Sequence, residues 1–323
     1  MSILITCCLG DHIKSNVDAI KEAFPDERIV GIDVRKMHFN HNGVDAFHQV
    51  CKCTDEGYVD AVLDVCKEED VDLILSFSSL DIKPFKLKKK LFDDRNIRIA
   101  LGLKEENLTE QANDKQWFCL MAKNHGIKVV ETGEYLVYDN VDVKMFADRI
   151  GVDKVVIKQV DSTGAKGMEI LDRSVFAACK FAFLKGAVIQ KFLPGKEYSV
   201  DCFCKDGKML FGCTKLNYEM DLGVSIYSEI VDRPDIVALC ERACEVFVLD
   251  GLVGFDLKED ENGDVFILEC NPRPTATISL VKHAGVNLLR HLIEYYDTGD
   301  TCFFGEHVRP GAKIARFRED YLF

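Results

Sequence analysis

No apolar run in the 323 residues approaches the ~18 that a spanning helix needs, which excludes a helical membrane segment. Positive charge is in deficit. Lys and Arg total 41 against 54 Asp and Glu, a formal net charge of −13. A surface this acidic repels phosphates and excludes nucleic acid as a general partner, while leaving room for a small anion in a local basic pocket. The opening Met1-Ser-Ile-Leu-Ile-Thr-Cys-Cys8 lacks the basic n-region of a signal peptide and reads as a buried first strand. The first strand is not followed by Gly-x-Gly-x-x-Gly, so dinucleotide binding is unsupported. No Walker pattern, Gly-x-Ser-x-Gly elbow or marked Cys/His pair occurs, nor any internal repeat or low-complexity segment. What is present is a globular balance, 47% hydrophobic and 29% charged, at a length that suggests two domains or three lobes. The 14 cysteines are scattered, several in apolar strands (Cys7, Cys8, Cys202, Cys204, Cys213), where a free thiol serves as a small hydrophobe. A cytoplasmic setting is the expectation.

The first hundred residues alternate between strand and helix. Residues 3–8, 28–34, 72–77 and 97–101 read as strands. Val17, Ile20 and Phe24 mark one helix, and Val59, Val62, Leu63 and Cys66 another. Such alternation predicts a parallel sheet with helices on its faces, a Rossmann-like lobe. Residues 104–126 read as helices closed by Gly126. From about 127 the texture becomes α+β, with hairpin signals at Asp206-Gly207 and Asn262-Gly263 and helices near 174–184 and 234–248.

Three segments of the second half carry chemistry. In Val265-Phe-Ile-Leu-Glu-Cys-Asn-Pro-Arg273, Glu269 and Asn271 are two apart and share a strand face. A two-residue turn at Asn262-Gly263 sets Asp256 of Leu252–Leu257 directly opposite Glu269. Like charges at paired positions repel, so a cation belongs between them. Two carboxylates and an amide oxygen suit Mg²⁺. The alternative is a solvent-facing acidic hairpin, as the tip residues Glu259, Asp260 and Glu261 are read. The second segment runs from Lys158 through Ser162, Thr163, Gly164, Lys166 and Gly167, between two strands. It is either an ordinary hairpin loop or a nest of backbone N–H groups for anionic oxygens. In the third, Val188–Asp201, the backbone of residues 190–193 can pair with an adenine and Glu197 with ribose hydroxyls, or the segment is a plain strand connection.

In order and spacing these segments resemble the ATP-grasp superfamily, most of all the carboxylate–amine ligases related to the carbamoyl phosphate synthase large subunit. The resemblance implies an α/β then α+β chain: a Rossmann-like pre-ATP-grasp domain at 1–104 and a two-lobed ATP-grasp fold at 105–295. Its lid lobe spans about 127–190 and its large lobe about 191–295, with a C-terminal extension, 296–323, packed on the core. It further implies ATP with Mg²⁺, which Mn²⁺ can replace, and residue roles. Lys115 and Lys158 are the nucleotide-binding lysines. Ser162, Thr163, Gly164, Lys166 and Gly167 form the phosphate lid. Gln190, Lys191 and Leu193 are the adenine hinge, and Glu197 the ribose ligand. Asp256, Glu269 and Asn271 are the metal ligands. Arg273 steadies the transferred phosphoryl group, and Lys215 falls where relatives place a basic residue facing phosphate or substrate. Three departures are visible: Thr163 and Ala165 stand in the glycine loop where relatives are often richer in Gly or Ser, Pro274-Thr-Ala-Thr277 stands where relatives often have glycines after the arginine, and Leu80-Asp-Ile-Lys83 where they usually place an acidic pair.

The implied activity is ATP-dependent activation of a small carboxylate as an acyl phosphate, with ADP release, followed by attack of an amine or amino acid. Nucleic acid and membrane are not expected partners, and the resemblance allows a homodimer through the first domain. Two alternatives stay open: an enzyme that releases the acyl phosphate, as in carbamoyl phosphate formation, and a non-catalytic ATP-binding sensor of the same fold. His38, His41, His48, Cys51 and Cys53 invite a zinc reading, but their spacings do not match paired zinc frames.

Overall fold

Alternate residues of the first strand feed two different cores, which is why the amino-terminal sheet is covered on both faces. In the computed structural model, which describes residues 1–40, 42–104, 108–159, 167–178, 182–221 and 223–316, Ile3 and Ile5 enter one cluster and Leu4 the other. Five parallel strands, β1 (Ser2–Ile5), β2 (Arg28–Asp33), β3 (Ala46–Gln49), β4 (Leu73–Leu75) and β5 (Arg98–Ile99), lie in the order β3-β2-β1-β4-β5. Helix α1 (Ile13–Ala23) buries Ile13, Val17 and Ile20 on one side. On the other, α2 (Tyr58–Glu68) buries Val59, Val62, Leu63 and Cys66, beside α3 (Ile82–Leu87) and α4 (Lys89–Asp93). Each buried aliphatic side chain contributes ~1.5–3 kcal/mol by leaving water.

Helices α5 (Thr109–Ala112) and α6 (Lys115–Asn124) follow. The Asp114 carboxylate caps α6 by accepting the Trp117 N–H at 2.8 Å, which places Lys115 at the first position of the helix. An antiparallel four-stranded sheet comes next, in the order β6-β9-β7-β8: β6 (Val137–Asp139), β7 (Lys154–Gln159), β8 (Met168–Asp172) and β9 (Ala182–Lys191). Helices α7 (Asn140–Ile150) and α8 (Arg173–Ala178) accompany it. The helix expected over 174–184 therefore stops at Ala178, and strand β9 has begun by Ala182. Strand β9 pairs with β7 through residues 187–191, and with β6 at Ala182 and Ala187.

The largest sheet is antiparallel, ordered β14-β13-β10-β11-β12-β15, from β10 (Glu197–Lys205), β11 (Lys208–Asp221), β12 (Val224–Val231), β13 (Gly251–Glu259), β14 (Val265–Asn271) and β15 (Lys313–Ala315). Helices α9 (Pro234–Phe247), α10 (Ile278–His283) and α11 (Leu288–Thr298) pack on it and on α1. Asp206-Gly207 makes the expected two-residue turn, with φ of 50° and 80°. The expected domain limits shift in two places. Residues 128–130 run along β14, through Val130 N–H to Ile267 O at 2.9 Å, before the chain reaches the small sheet at Thr132. The boundary at 295 falls inside α11, and the C-terminal extension joins the large sheet as β15.

Candidate active site

Registration sets ten polar or small residues on one face of the large sheet. Ser199 of β10 pairs with both Lys215 and Asp256, and Asp256 pairs with Glu269, so these four share a row. Alternation puts Glu197, Asp201, Asn217, Gly254, Lys258 and Asn271 on the same face. The opposite face carries Tyr198, Val200, Val253, Phe255 and Leu257 into the core beneath α6 and α9.

Asp256 does sit opposite Glu269, but not through the turn that the sequence suggests. The tip is a five-residue loop, 260–264, between the pair Glu259 and Val265. The Asp260 carboxylate organises it by accepting the N–H groups of Asn262 and Asp264, both at 2.9 Å. The resulting one-residue offset is cancelled by a bulge between Asp256 and Leu257, which restores the register at the carboxylates. The tip is also less solvent-facing than expected. Asp260 is buried, and Glu259 accepts the Tyr198 hydroxyl at 2.6 Å and pairs with Arg233; Glu261 is the most exposed of the three.

A cavity of about 310 Å³ lies between this face, the small sheet and the amino-terminal domain. Lys115 and Lys158 reach the same Glu269 oxygen from α6 and β7, at 3.4 and 3.6 Å. Burial alone would raise the Glu269 carboxyl, but the two lysines outweigh it and hold it below the usual range. Asp256 moves the other way. Burial, then the charge of Glu269 and of Glu197, push it up to about 7. Asn271 bridges the two carboxylates through its amide, 3.0 Å from Asp256 and 3.5 Å from Glu269. Its oxygen and nitrogen exchange on rotation about χ2, so the trio can present three hard oxygen donors. A divalent cation fits this donor set and would relieve the repulsion that the pairing imposes.

Arg273 follows on the same strand exit, its guanidinium pulled down in pKa by burial. It donates to Ser79 Oγ at 2.8 Å and to Pro274 O at 2.9 Å. Ser79 belongs to the amino-terminal domain, which thus contributes to the cavity by a residue the sequence did not single out. Asp81, in the atypical Leu80–Lys83 stretch, does not line the cavity, although its charge is felt by Arg273. It is buried and accepts from Tyr58 and Ser76, both at 2.9 Å.

Gln190, Lys191 and Leu193 line the cavity, as does Glu197. Gln190 is spent internally, donating to Thr132 and to Leu268 O. The Lys191 N–H goes to Glu131 O, whereas the Leu193 N–H has no acceptor among the described residues. Glu197 pairs with Lys258 at 3.1 Å. Lys258 is two residues beyond Asp256 on the same face, a spacing that could have flagged it. Ser162, Thr163, Gly164 and Lys166 lie outside the described residues; Gly167 is described, with φ 71°.

Lys215 departs from its expected role. It shares the site face, yet it is fully buried beneath residues 275–277 rather than open to the cavity. Its ammonium donates to Asp201 at 2.5 Å, Thr277 at 2.6 Å and Thr275 at 3.1 Å, which uses all three donors. Thr275 also donates to Asp201, at 2.6 Å. Gly254 makes room for this roof: a Cβ there would come within 2.2 Å of Thr275 Cγ2. The zinc reading fails among the described residues, where His48 is engaged by Glu69 at 2.8 Å and meets only Glu68 and Glu69 as a candidate group; His41 lies outside them.

Two family models divide the chain. A PylC-like N-terminal domain matches residues 3–100, and an ATP-grasp domain described as belonging to a biosynthetic pathway with the Ter operon matches 184–316. The second half of the chain carries an ATP-grasp domain. Solved structures of this fold align over nearly its whole length at low identity. The biotin carboxylase domain of 2-oxoglutarate carboxylase from Hydrogenobacter thermophilus, a dimer in complex with MgADP and bicarbonate, is 15% identical with a TM-score of 0.70 over 97% of this chain and 73% of its own. N5-carboxyaminoimidazole synthetase from Staphylococcus aureus, complexed with ADP, is 16% identical with a TM-score of 0.69 over 95% and 79%. L-amino acid ligase from Bacillus licheniformis is 14% identical with a TM-score of 0.63 over 92% and 74%. No curated protein sequence matches the chain significantly. No helix among the described residues of this ATP-grasp protein is long and apolar enough to cross a membrane.

Proposed function

We propose that this ATP-grasp protein is an ADP-forming ligase that activates a small carboxylate as an acyl phosphate and couples it to an amine. The observation that carries the reading is the charge arrangement in one cavity: two facing carboxylates, two lysines converging on one of them, and a half-buried arginine at the strand exit. Asp256, Glu269 and Asn271 would hold Mg²⁺, which neutralises phosphate charge when bound. Phosphoryl transfer asks the protein for positioning and charge compensation more than for a covalent group.

Lys115 and Lys158 are set to lie against the phosphates once these displace them from Glu269. Arg273 is placed to offset charge on the transferred group, with Ser79 fixing its plane. The unpaired Leu193 N–H and Glu197 suit an adenine edge and ribose hydroxyls. Closure of the small sheet over the site would keep water from an acyl phosphate, which hydrolyses readily.

The test is thermal stability with MgATP or MgADP, followed by ADP release with carboxylates in hydroxylamine, which traps an acyl phosphate as its hydroxamate. A Mg²⁺-dependent stabilisation and hydroxamate formation are expected. Nucleotide binding without hydroxamate from any carboxylate would leave a sensor. No Mg²⁺-dependent stabilisation would refute the reading.

A further inference from the structure

Asp81 is a buried carboxylate that the proposed mechanism leaves unused, yet it stands two residues from a wall of the cavity. It closes the loop after β4 that carries Ser79 to the site. Hydrogen bonds tie this loop to the domain behind it. The Asp81 carboxylate accepts the Tyr58 hydroxyl of α2 and the Ser76 hydroxyl, both at 2.9 Å. Ser76 Oγ in turn accepts the Ser78 N–H at 3.2 Å and the hydroxyl of Thr6, at the exit of β1, at 3.3 Å. Thr6 Oγ1 accepts the Phe77 N–H at 3.1 Å. The Asp81 N–H returns to Ser78 O at 3.3 Å, and the Leu80 N–H to Ser78 Oγ at 3.2 Å. Each donor meets an acceptor, and the carboxylate is where the relay of hydroxyls ends.

Between the tied residues Ser78 and Leu80 sits Ser79, half-buried on the cavity wall. Its carbonyl accepts the Asn113 amide at 3.1 Å, and its hydroxyl accepts Arg273 Nε at 2.8 Å. The other bond of this guanidinium, to Pro274 O, stays within its own strand exit. Ser79 is therefore the tie that reaches Arg273 from another domain. An oriented hydroxyl is useful only if its backbone is already fixed, because otherwise the bond must offset the entropy of ordering the loop.

We infer that Asp81 is a positioning residue of the site: through Ser76 and the turn at Ser78 it holds Ser79 where the hydroxyl fixes the guanidinium of Arg273. What Arg273 then does for the transferred group rests on the proposed reading of the cavity; the tie from Asp81 to Arg273 does not. The amino-terminal domain thereby takes part in the site through hydroxyls anchored on one buried carboxylate.

The test is the rate at which the Arg273 Nε–H exchanges with solvent in the ¹⁵N-labelled full chain, its resonance identified by loss in Arg273→Lys. Ser79→Ala removes the acceptor and should speed exchange about tenfold or more, the least that a hydrogen bond to a charged donor supplies. Asp81→Ala should speed it by a similar factor while touching neither partner. Ser76→Ala cuts the same link nearer Ser79 and should do the same, which keeps the test open if Asp81→Ala does not fold. Asp81→Asn, whose amide can refill the bonds to Tyr58 and Ser76, should restore most of the protection. Asp81→Ala added to Ser79→Ala should speed exchange no further. Val62→Ala, which loosens the core of the same domain, should leave the rate as in wild type. Unchanged exchange in Asp81→Ala or Ser76→Ala, additive effects in the double variant, or an equal rise in Val62→Ala overturns the inference. Calorimetry separates it from the reading of the cavity. The variants that free Arg273 should lower the preference for a non-hydrolysable MgATP analogue over MgADP. Faster exchange with that preference unchanged, or with no nucleotide bound at all, leaves the tie standing and overturns the role given to Arg273.

Discussion

Replacing Asp256 with Asn should stabilise the ligand-free protein while abolishing its response to Mg²⁺ and nucleotide. Asp256 and Glu269 are directly paired across β13 and β14. At a side-chain separation of ~5 Å and an effective dielectric of ~20, two unit charges repel by about 3 kcal/mol. Lys115 and Lys158 do not cancel this for Asp256, because both are drawn to Glu269 Oε2. Asn keeps the shape and removes the charge, so a net gain of about 1–2 kcal/mol is expected after solvent relaxation, or roughly 1.5–3 °C in melting temperature for a chain of this length. The gain has a pH signature. The Asp256 carboxyl is raised from 3.8 to about 7 in the folded chain. The folded state then holds more protons than the unfolded state between these values, so wild-type stability falls as pH rises through the window. The advantage of the Asp256→Asn variant is absent below about pH 4 and complete above about pH 7. The assay is thermal denaturation in EDTA across this range, repeated with MgATP at ~100 times its dissociation constant, where binding adds about 2.7 kcal/mol to wild type alone. A variant that melts lower than wild type at neutral pH and retains the full Mg²⁺-dependent stabilisation would refute the electrostatic reasoning and the metal assignment together.

Lys215→Met leaves Asp201 buried without its partner and should cost about 3–5 kcal/mol in denaturant unfolding; a change under about 1 kcal/mol would mean that the buried pair contributes little. Gly254→Ala drives a methyl into Thr275, so it should lower the melting temperature and shift residues 275–277; crystals showing that segment in place would contradict the close-packing argument. Cys302 is exposed, whereas Cys202 and Cys244 are buried and their thiols are held well above the usual range by burial. Cys302→Ser should remove one fast-reacting thiol from the native titration with an aromatic disulfide, and Cys202 and Cys244 should label only on unfolding. Rapid labelling of either would show that the core beneath β10 opens.

Strands β1, β2, β4 and β5 were legible because they are short and apolar and lie among helices with one greasy stripe, whereas β3 (Ala46–Gln49), a half-buried edge strand that follows β2 with no helix between them, was not. The pairing of Asp256 with Glu269 was legible for a less direct reason. Turn chemistry alone predicts the wrong loop, since Asp260 can satisfy the N–H groups of Asn262 and Asp264 with its own carboxylate and so stabilise a wider turn. The bulge that restores the register has no local signature; it follows from the need to keep Phe255 and Leu257 in the core and Asp256 and Glu269 out of it. Ser79 could not be found by motif, because its place depends on how the amino-terminal domain docks on the large sheet. The helix over 174–184 failed because β9, from Ala182 on, gains ladder pairing with β6 and β7 that continuing α8 would forgo.

Lys215 shows how one fold can keep a charged residue and change its duty. Its row on the sheet is that of Asp256 and Glu269, so its backbone position is that of a site residue. What removes it from the site is the segment after Arg273. Thr275 and Thr277 supply two hydroxyls that, with Asp201, use every donor of the ammonium. Glycines there would offer no hydroxyls, and the lysine would have donors to spare for an anion in the cavity. The Pro274-Thr-Ala-Thr277 sequence thus exchanges a mobile cation for a fixed roof, and it leaves Arg273 as the arginine that lines that end of the cavity.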